Sequence, residues 1–99
     1  MIKLLALYKK PADLDAFMKH YEEVHIPLVK KIPGLAKAVI NKAIGAPMGG
    51  EPAYFMIAEM HFADKPTFDA AMASPENRAA GKDIMSFAKD LVTLMVVED

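Results

Sequence analysis

Apolar residues recur along this chain with two different periods, and the changes between them mark its elements. Ile2 to Tyr8 is a short apolar run closed by Lys9, Lys10 and Pro11, a length that fits a buried strand better than a helix. From Asp13 the spacing lengthens. Leu14, Phe17, Tyr21, Val24 and Leu28 alternate steps of three and four, which places them on one face of a helix with Asp13 as its N-cap. Pro27 falls inside that helix and has no N–H to give the carbonyl of Glu23, so a kink or a restart is expected there. Pro33 and Gly34 end it.

Residues 35–44 read as a second strand with β-branched Val39, Ile40 and Ile44, and residues 45–52, rich in glycine and proline, as a hairpin loop. A third strand is expected over residues 53–62. Asp64 then caps a helical segment with Pro66 in its first turn and Phe68 and Met72 on one side. Ser74 and Pro75 restart the helix, which runs through Ala80, Ile84, Phe87 and Ala88. Residues 91–97 form a fourth strand. The order is β-α-β-β-α-β, and right-handed crossovers make it a ferredoxin-like α+β fold: an antiparallel four-stranded sheet with the helices on one face. A chain of 99 residues holds one such domain, 1–99, which buries roughly 60 to 70% of the surface its unfolded form would expose.

Strand side chains alternate between faces. The third strand then presents Tyr54, Met56, Ala58, Met60 and Phe62 to the helices, and Phe55, Ile57, Glu59 and His61 to the other side. The first strand divides into Ile2, Leu4, Ala6, Tyr8 and Lys3, Leu5, Leu7, and the fourth into Val92, Leu94, Val96 and Leu91, Thr93, Met95, Val97. Both faces of these strands are largely apolar, and the helices cover only one. An uncovered apolar sheet is unusual for a soluble monomer, so a second copy, packed sheet to sheet in a homodimer, is the expected cover.

Charge and composition narrow the partners. Lys plus Arg number 12 against 13 for Asp plus Glu, a balance with no one-sign field to attract nucleic acid or an anionic membrane. No stretch approaches the roughly 20 apolar residues that span a bilayer, and the opening run lacks the cleavage pattern of a signal peptide. With no cysteine, disulfides, thiolate catalysis and cysteine-ligated metals are excluded. A soluble cytoplasmic protein is expected.

Few side chains are suited to chemistry. His20, His25 and His61 titrate near neutrality, but His20 and His25 stand five apart, about 140° on an α-helix, so they do not form a metal pair and no metal is expected. Tyr21 and His25 share a helix face just before Pro27. There His25 is either a half-buried histidine bonded to backbone or the acid or base of a pocket. Glu59 shares its strand face with His61 among apolar neighbours, and a carboxylate there needs a partner, a raised pKa or an opening to water. It is either paired with Lys37 or Lys42 or part of a site. Asn41, in mid-strand, likewise needs a partner in the structure or in a ligand. Eight methionines suit a pliable apolar cavity wall as well as ordinary core. No phosphate loop, nucleophile elbow or nucleotide fingerprint is present, and no cofactor is expected.

The stretch FMKHYEEVHIPLVKKIPGL (residues 17–35), followed by AVINK, AEMHF and the segment from Phe68 to Ser74, resembles the EthD family. Its most specific part is His25 with Pro27 and Leu28, then Pro33, Gly34 and Leu35. The resemblance implies a ferredoxin-like subunit that pairs into a dimeric α/β barrel, with a cleft between sheet and helices and His25 as the family's recurrent histidine. It further implies action on, or assistance to the oxidation of, a small hydrophobic organic compound. The polar minority on otherwise apolar faces makes His25 the candidate acid or base and Tyr21, Asn41, Glu59 and His61 the candidate substrate-binding groups. Alternatives within the wider superfamily are a non-catalytic ligand-binding or accessory dimer, a cofactor-free isomerase or cyclase, and a haem binder.

Overall fold

The computed structural model describes residues 1–99. Strands β1 (Ile2–Tyr8), β2 (Lys37–Lys42), β3 (Met56–Phe62) and β4 (Val92–Glu98) form one sheet in the order β2-β3-β1-β4. Every neighbouring pair is antiparallel, as the ferredoxin-like pattern requires. The expected strand boundaries contract by a few residues: β2 stops at Lys42 and β3 begins only at Met56. No helix is long and apolar enough to cross a membrane.

Helix α1 (Leu14–His20) starts where Asp13 accepts the Ala16 N–H at 3.0 Å. It passes directly into a π-helical turn over Tyr21–His25, and α2 (Ile26–Val29) follows with Pro27 in its first turn. The Ile26 N–H reaches back five residues to the carbonyl of Tyr21. A widened turn before a proline relieves the clash and the lost hydrogen bond that Pro27 would impose on a continuous α-helix.

That turn has a consequence for packing. It holds one more residue than an α-turn, so the inward face advances by one position beyond it. The periodicity predicts Tyr21, Val24 and Leu28 inward. The structure instead buries Tyr21, His25 and Val29, with Val24 42% exposed.

Asp64 caps α3 (Lys65–Met72) by accepting the Thr67 N–H, and Ser74 caps α4 (Pro75–Phe87) by accepting the Asn77 N–H. Gly34, between α2 and β2, has φ +79°, and a Cβ there would lie 2.6 Å from Cγ2 of Thr67. Glycine is required at that turn on both counts.

The core lies between the helices and one sheet face, where Ile2, Ala6, Tyr8, Met56, Ala58, Met60 and Phe62 are buried against Phe17, Tyr21, Val29, Phe68 and Ile84. Register fixes the opposite face in rows of cross-strand neighbours: Val39, Glu59, Leu5 and Met95 in one, Asn41, Ile57, Leu7 and Thr93 in the next. Phe55 departs from the expected alternation. It precedes β3 and turns its ring edge-on to Phe17 at 5.6 Å, on the helix side.

Candidate functional site

A cavity of about 170 Å³ lies between the helices and the inner face of the sheet. Its walls are mostly apolar, with Leu4, Ala6, Ala58 and Met60 from the sheet and Ile26, Val29, Met72 and Ile84 from the helices. Against this background the polar lining is sparse: His25, Tyr8, Tyr21, Asn77 and, from β3, Glu59.

The π-turn supplies the histidine. His25, only 5% exposed, places Nδ1 3.0 Å from Oδ2 of Asp83 on α4. The other carboxylate oxygen, Oδ1, stands 2.8 Å from Nε2 of His20. The 140° separation expected of an α-helix does not hold here, because a turn spanning five residues stacks His20 and His25 on one side, where a single carboxylate bridges them. His25 is thus bonded to a side chain and not to backbone. No group of three or more such residues is arranged to hold a metal ion.

The hydrogen-bond chemistry orients His25. An ionised carboxylate only accepts, so Nδ1 carries the hydrogen and donates to Asp83, leaving the lone pair on Nε2. Every enclosed side-chain polar atom of the chain has a partner, while Nε2 of His25 bonds to no protein group and the residue lines the cavity. The lone pair therefore opens onto the cavity. Burial holds the imidazole below its ordinary pKa, outweighing the hydrogen bond and charge of Asp83, which pull it upward, and His20 adds a smaller lowering effect.

Tyr8 and Tyr21 meet edge-on with ring centres 5.5 Å apart. Burial drives both phenols well above the ordinary tyrosine range, and for Tyr8 the neighbouring Tyr21 adds to the effect. Both therefore keep their hydrogens near neutrality and can act as donors. The Tyr21 ring also packs 5.5 Å from the His25 ring, and Phe87 lies at the same distance from His25 on another side.

Glu59, His61 and Asn41 form a separate cluster on the opposite face of the sheet. Glu59 accepts from Nδ2 of Asn41 at 2.7 Å through Oε2 and pairs with Nε2 of His61 at 2.9 Å through Oε1. These contacts, His61 first and Asn41 second, hold the Glu59 carboxyl below its ordinary value, not above it. The expected lysine pairing does not form: Lys42 stands opposite Met56 on the helix-facing side, and Lys37 stands opposite His61. Lys3 pairs instead with Asp99 at 2.9 Å.

Of the five residues singled out in the sequence, Tyr21 and His25 meet at the cavity, and Asn41, Glu59 and His61 meet on the other face of the sheet, with Glu59 also among the cavity's lining residues. Tyr8 and Asn77 also line the cavity, and Asp83, bonded to His25 and His20, stands behind it; none of Tyr8, Asn77, Asp83 and His20 was marked as a site residue. A signal for Asp83 was present in the sequence: it immediately precedes buried Ile84, in a helix interior that does not favour aspartate.

An EthD domain model matches residues 9–90. An 11.0 kDa protein in the thcB-thcC intergenic region of Rhodococcus erythropolis is 32% identical over 99 residues, covering 100% of this chain and 95% of that protein. The crystal structure of an ethyl tert-butyl ether D (EthD) family protein from Bacillus halodurans C-125 superposes with a TM-score of 0.94 at 43% identity, covering 100% of this chain and 98% of that one. A dimeric ferredoxin-like protein from Jannaschia sp. CCS1 shares the fold at TM-score 0.74 and 17% identity, with 99% and 98% of the two chains covered. SnoaB from Streptomyces nogalater, a cofactor-independent oxygenase, shares it at TM-score 0.69 and 9% identity, with 99% and 91% covered.

Asp83→Asn tests the electrostatics of the site. The carboxylate raises the His25 pKa against burial, so its loss moves the His25 midpoint to still lower pH in an NMR titration. A midpoint that rises or stays in place contradicts the assigned coupling.

Proposed function

The chain belongs to the EthD domain family, and from that premise we propose that it binds a small hydrophobic organic molecule in the cavity, where His25 serves as acid or base in its oxidation or degradation. The observation that carries this reading is the orientation of His25. Its Nδ1 is held by Asp83 at 3.0 Å while Nε2 opens onto an apolar cavity, the arrangement of a base with a fixed tautomer.

The size of the cavity selects the ligand class. About 170 Å³ is close to the ~150 Å³ of an engineered apolar cavity that holds benzene, so the molecule has the bulk of a single ring. Neutral His25 accepts a proton from a weakly acidic O–H or C–H of that ligand at Nε2. The imidazolium that results is stabilised by Asp83 across the existing hydrogen bond. Tyr8 and Tyr21, kept protonated by burial, donate to the oxygen on which negative charge develops. An ionised ring or enolate of this kind is electron-rich, the state in which dioxygen can oxidise it. SnoaB, described as a cofactor-independent oxygenase, shares the fold.

The open sheet face supports a homodimer as the working unit. Leu5, Leu7, Val39, Ile57, Met95 and Val97 share it by register, and a solved neighbour of the same fold is described as dimeric. In this reading Glu59, His61 and Asn41 satisfy one another where the two sheets meet, so their place is structural, and the substrate-binding role passes to Tyr8 beside Tyr21.

Phenylacetone, a single-ring enolisable ketone, tests the chemistry through exchange of its α-hydrogens in D₂O, followed by NMR. The purified protein should accelerate exchange, and His25→Gln should reduce that acceleration by roughly 10²-fold or more, the usual scale for loss of a general base. Equal exchange by both proteins removes the catalytic role, and equal binding without exchange leaves a ligand-binding protein. Light scattering at micromolar concentration should give twice the subunit mass, and a monomer would contradict the pairing.

A further inference from the structure

Gly81 stands in the interior of α4 (Pro75–Phe87), where glycine is the least favourable residue apart from proline. Backbone conformation gives no reason for it. Gly34, Gly49 and Gly50 have positive φ, and Gly81 does not. Close packing gives none either, since nothing lies within 4 Å of where a Cβ at Gly81 would sit. An alanine there would fit the helix and meet no neighbour.

Its position explains what the backbone does not. Gly81 lines the cavity together with Asn77, Ala80 and Ile84 of the same helix, positions three and four apart that share one helix face. Ile84 and Ala80 are buried, Asn77 is half-buried and Gly81 is exposed. Gly81 both lines the cavity and is exposed, which places it on the rim of the mouth, where it is the contribution of α4 opposite the exposed lining residues Ala38, Ile40 and Leu94 of the sheet. A side chain at this position would extend from the cavity face of α4 into unoccupied space beside the opening.

We infer that Gly81 is a specificity-determining residue: by carrying no side chain it keeps the mouth of the cavity open and sets the upper size of the molecule admitted to His25. The inference rests on the cavity being the ligand site, and it deepens that reading by assigning the size limit to one residue. Helix stability is given up at Gly81 in return for that opening. Substituting it is therefore expected to separate stability from binding, with the two moving in opposite directions.

Gly81→Ala and Gly81→Leu, tested with benzene and naphthalene as probes, measure this separation. Binding is followed by NMR shift perturbation at His25 and the affinities by titration. Both variants should unfold at the wild-type temperature or a few degrees above it, as expected from the helix preference of alanine and leucine. Benzene affinity should stay within about threefold of wild type, whereas naphthalene affinity should fall at least tenfold in Gly81→Leu, with Gly81→Ala in between. Naphthalene bound equally by wild type, Gly81→Ala and Gly81→Leu, or by none of the three while benzene binds, overturns the assignment to Gly81 while leaving the cavity as the ligand site. A wild-type protein that binds neither probe overturns the cavity reading and this inference with it.

Discussion

Pro27 cannot donate to the carbonyl of Glu23, and the helix answers with a wide turn over Tyr21–His25. The rest of the site depends on that turn. It advances the inward face by one residue, so that His25 and Val29 are buried in place of Val24 and Leu28. It also stacks two histidines, five apart in sequence, over one carboxylate of α4. A regular α-helix would have left His25 at the edge of the apolar stripe and Asp83 without its two partners.

The sheet then divides the polar residues into two groups with different surroundings. On the helix side, polar groups are few and are set into an apolar wall, where burial keeps His25 neutral and the two tyrosines protonated. On the other side Glu59 is matched by His61 and Asn41 and is held ionised by them. A satisfied cluster of this kind can be buried at modest cost, whereas an unpaired lone pair facing a cavity is available to a ligand. That difference in satisfaction, not the bare presence of titratable groups, is what singles out His25.

Much of the fold was legible because each element carries its own punctuation. Asp13, Asp64 and Ser74 cap the helices expected of them, and strict alternation over Met56–Phe62 gave the face assignment of β3. Phe55 escaped because alternation stops where the strand does. The site was less legible for a physical reason: the 3.6-residue period assumes that every turn is alike, and one π-turn invalidates it for all later positions. The spacing therefore turned Val24 inward and set His20 apart from His25. Asp83 is brought to them by tertiary packing across a separation of 58 residues from His25, which no local pattern encodes. Glu59 was recognisable as a buried-face carboxylate and His61 as its neighbour on the same strand face, but its second partner is set by cross-strand register, which places Asn41 one row away and Lys42 on the opposite face.

Asp83 fixes neutral His25 with its hydrogen on Nδ1 and its lone pair toward the cavity. Long-range ¹H–¹⁵N correlation of the imidazole at neutral pH reads the tautomer directly. A neutral ring with a protonated Nδ1 and an unprotonated Nε2 is expected for His25. A ring protonated at Nε2, or an imidazolium at that pH, would contradict it.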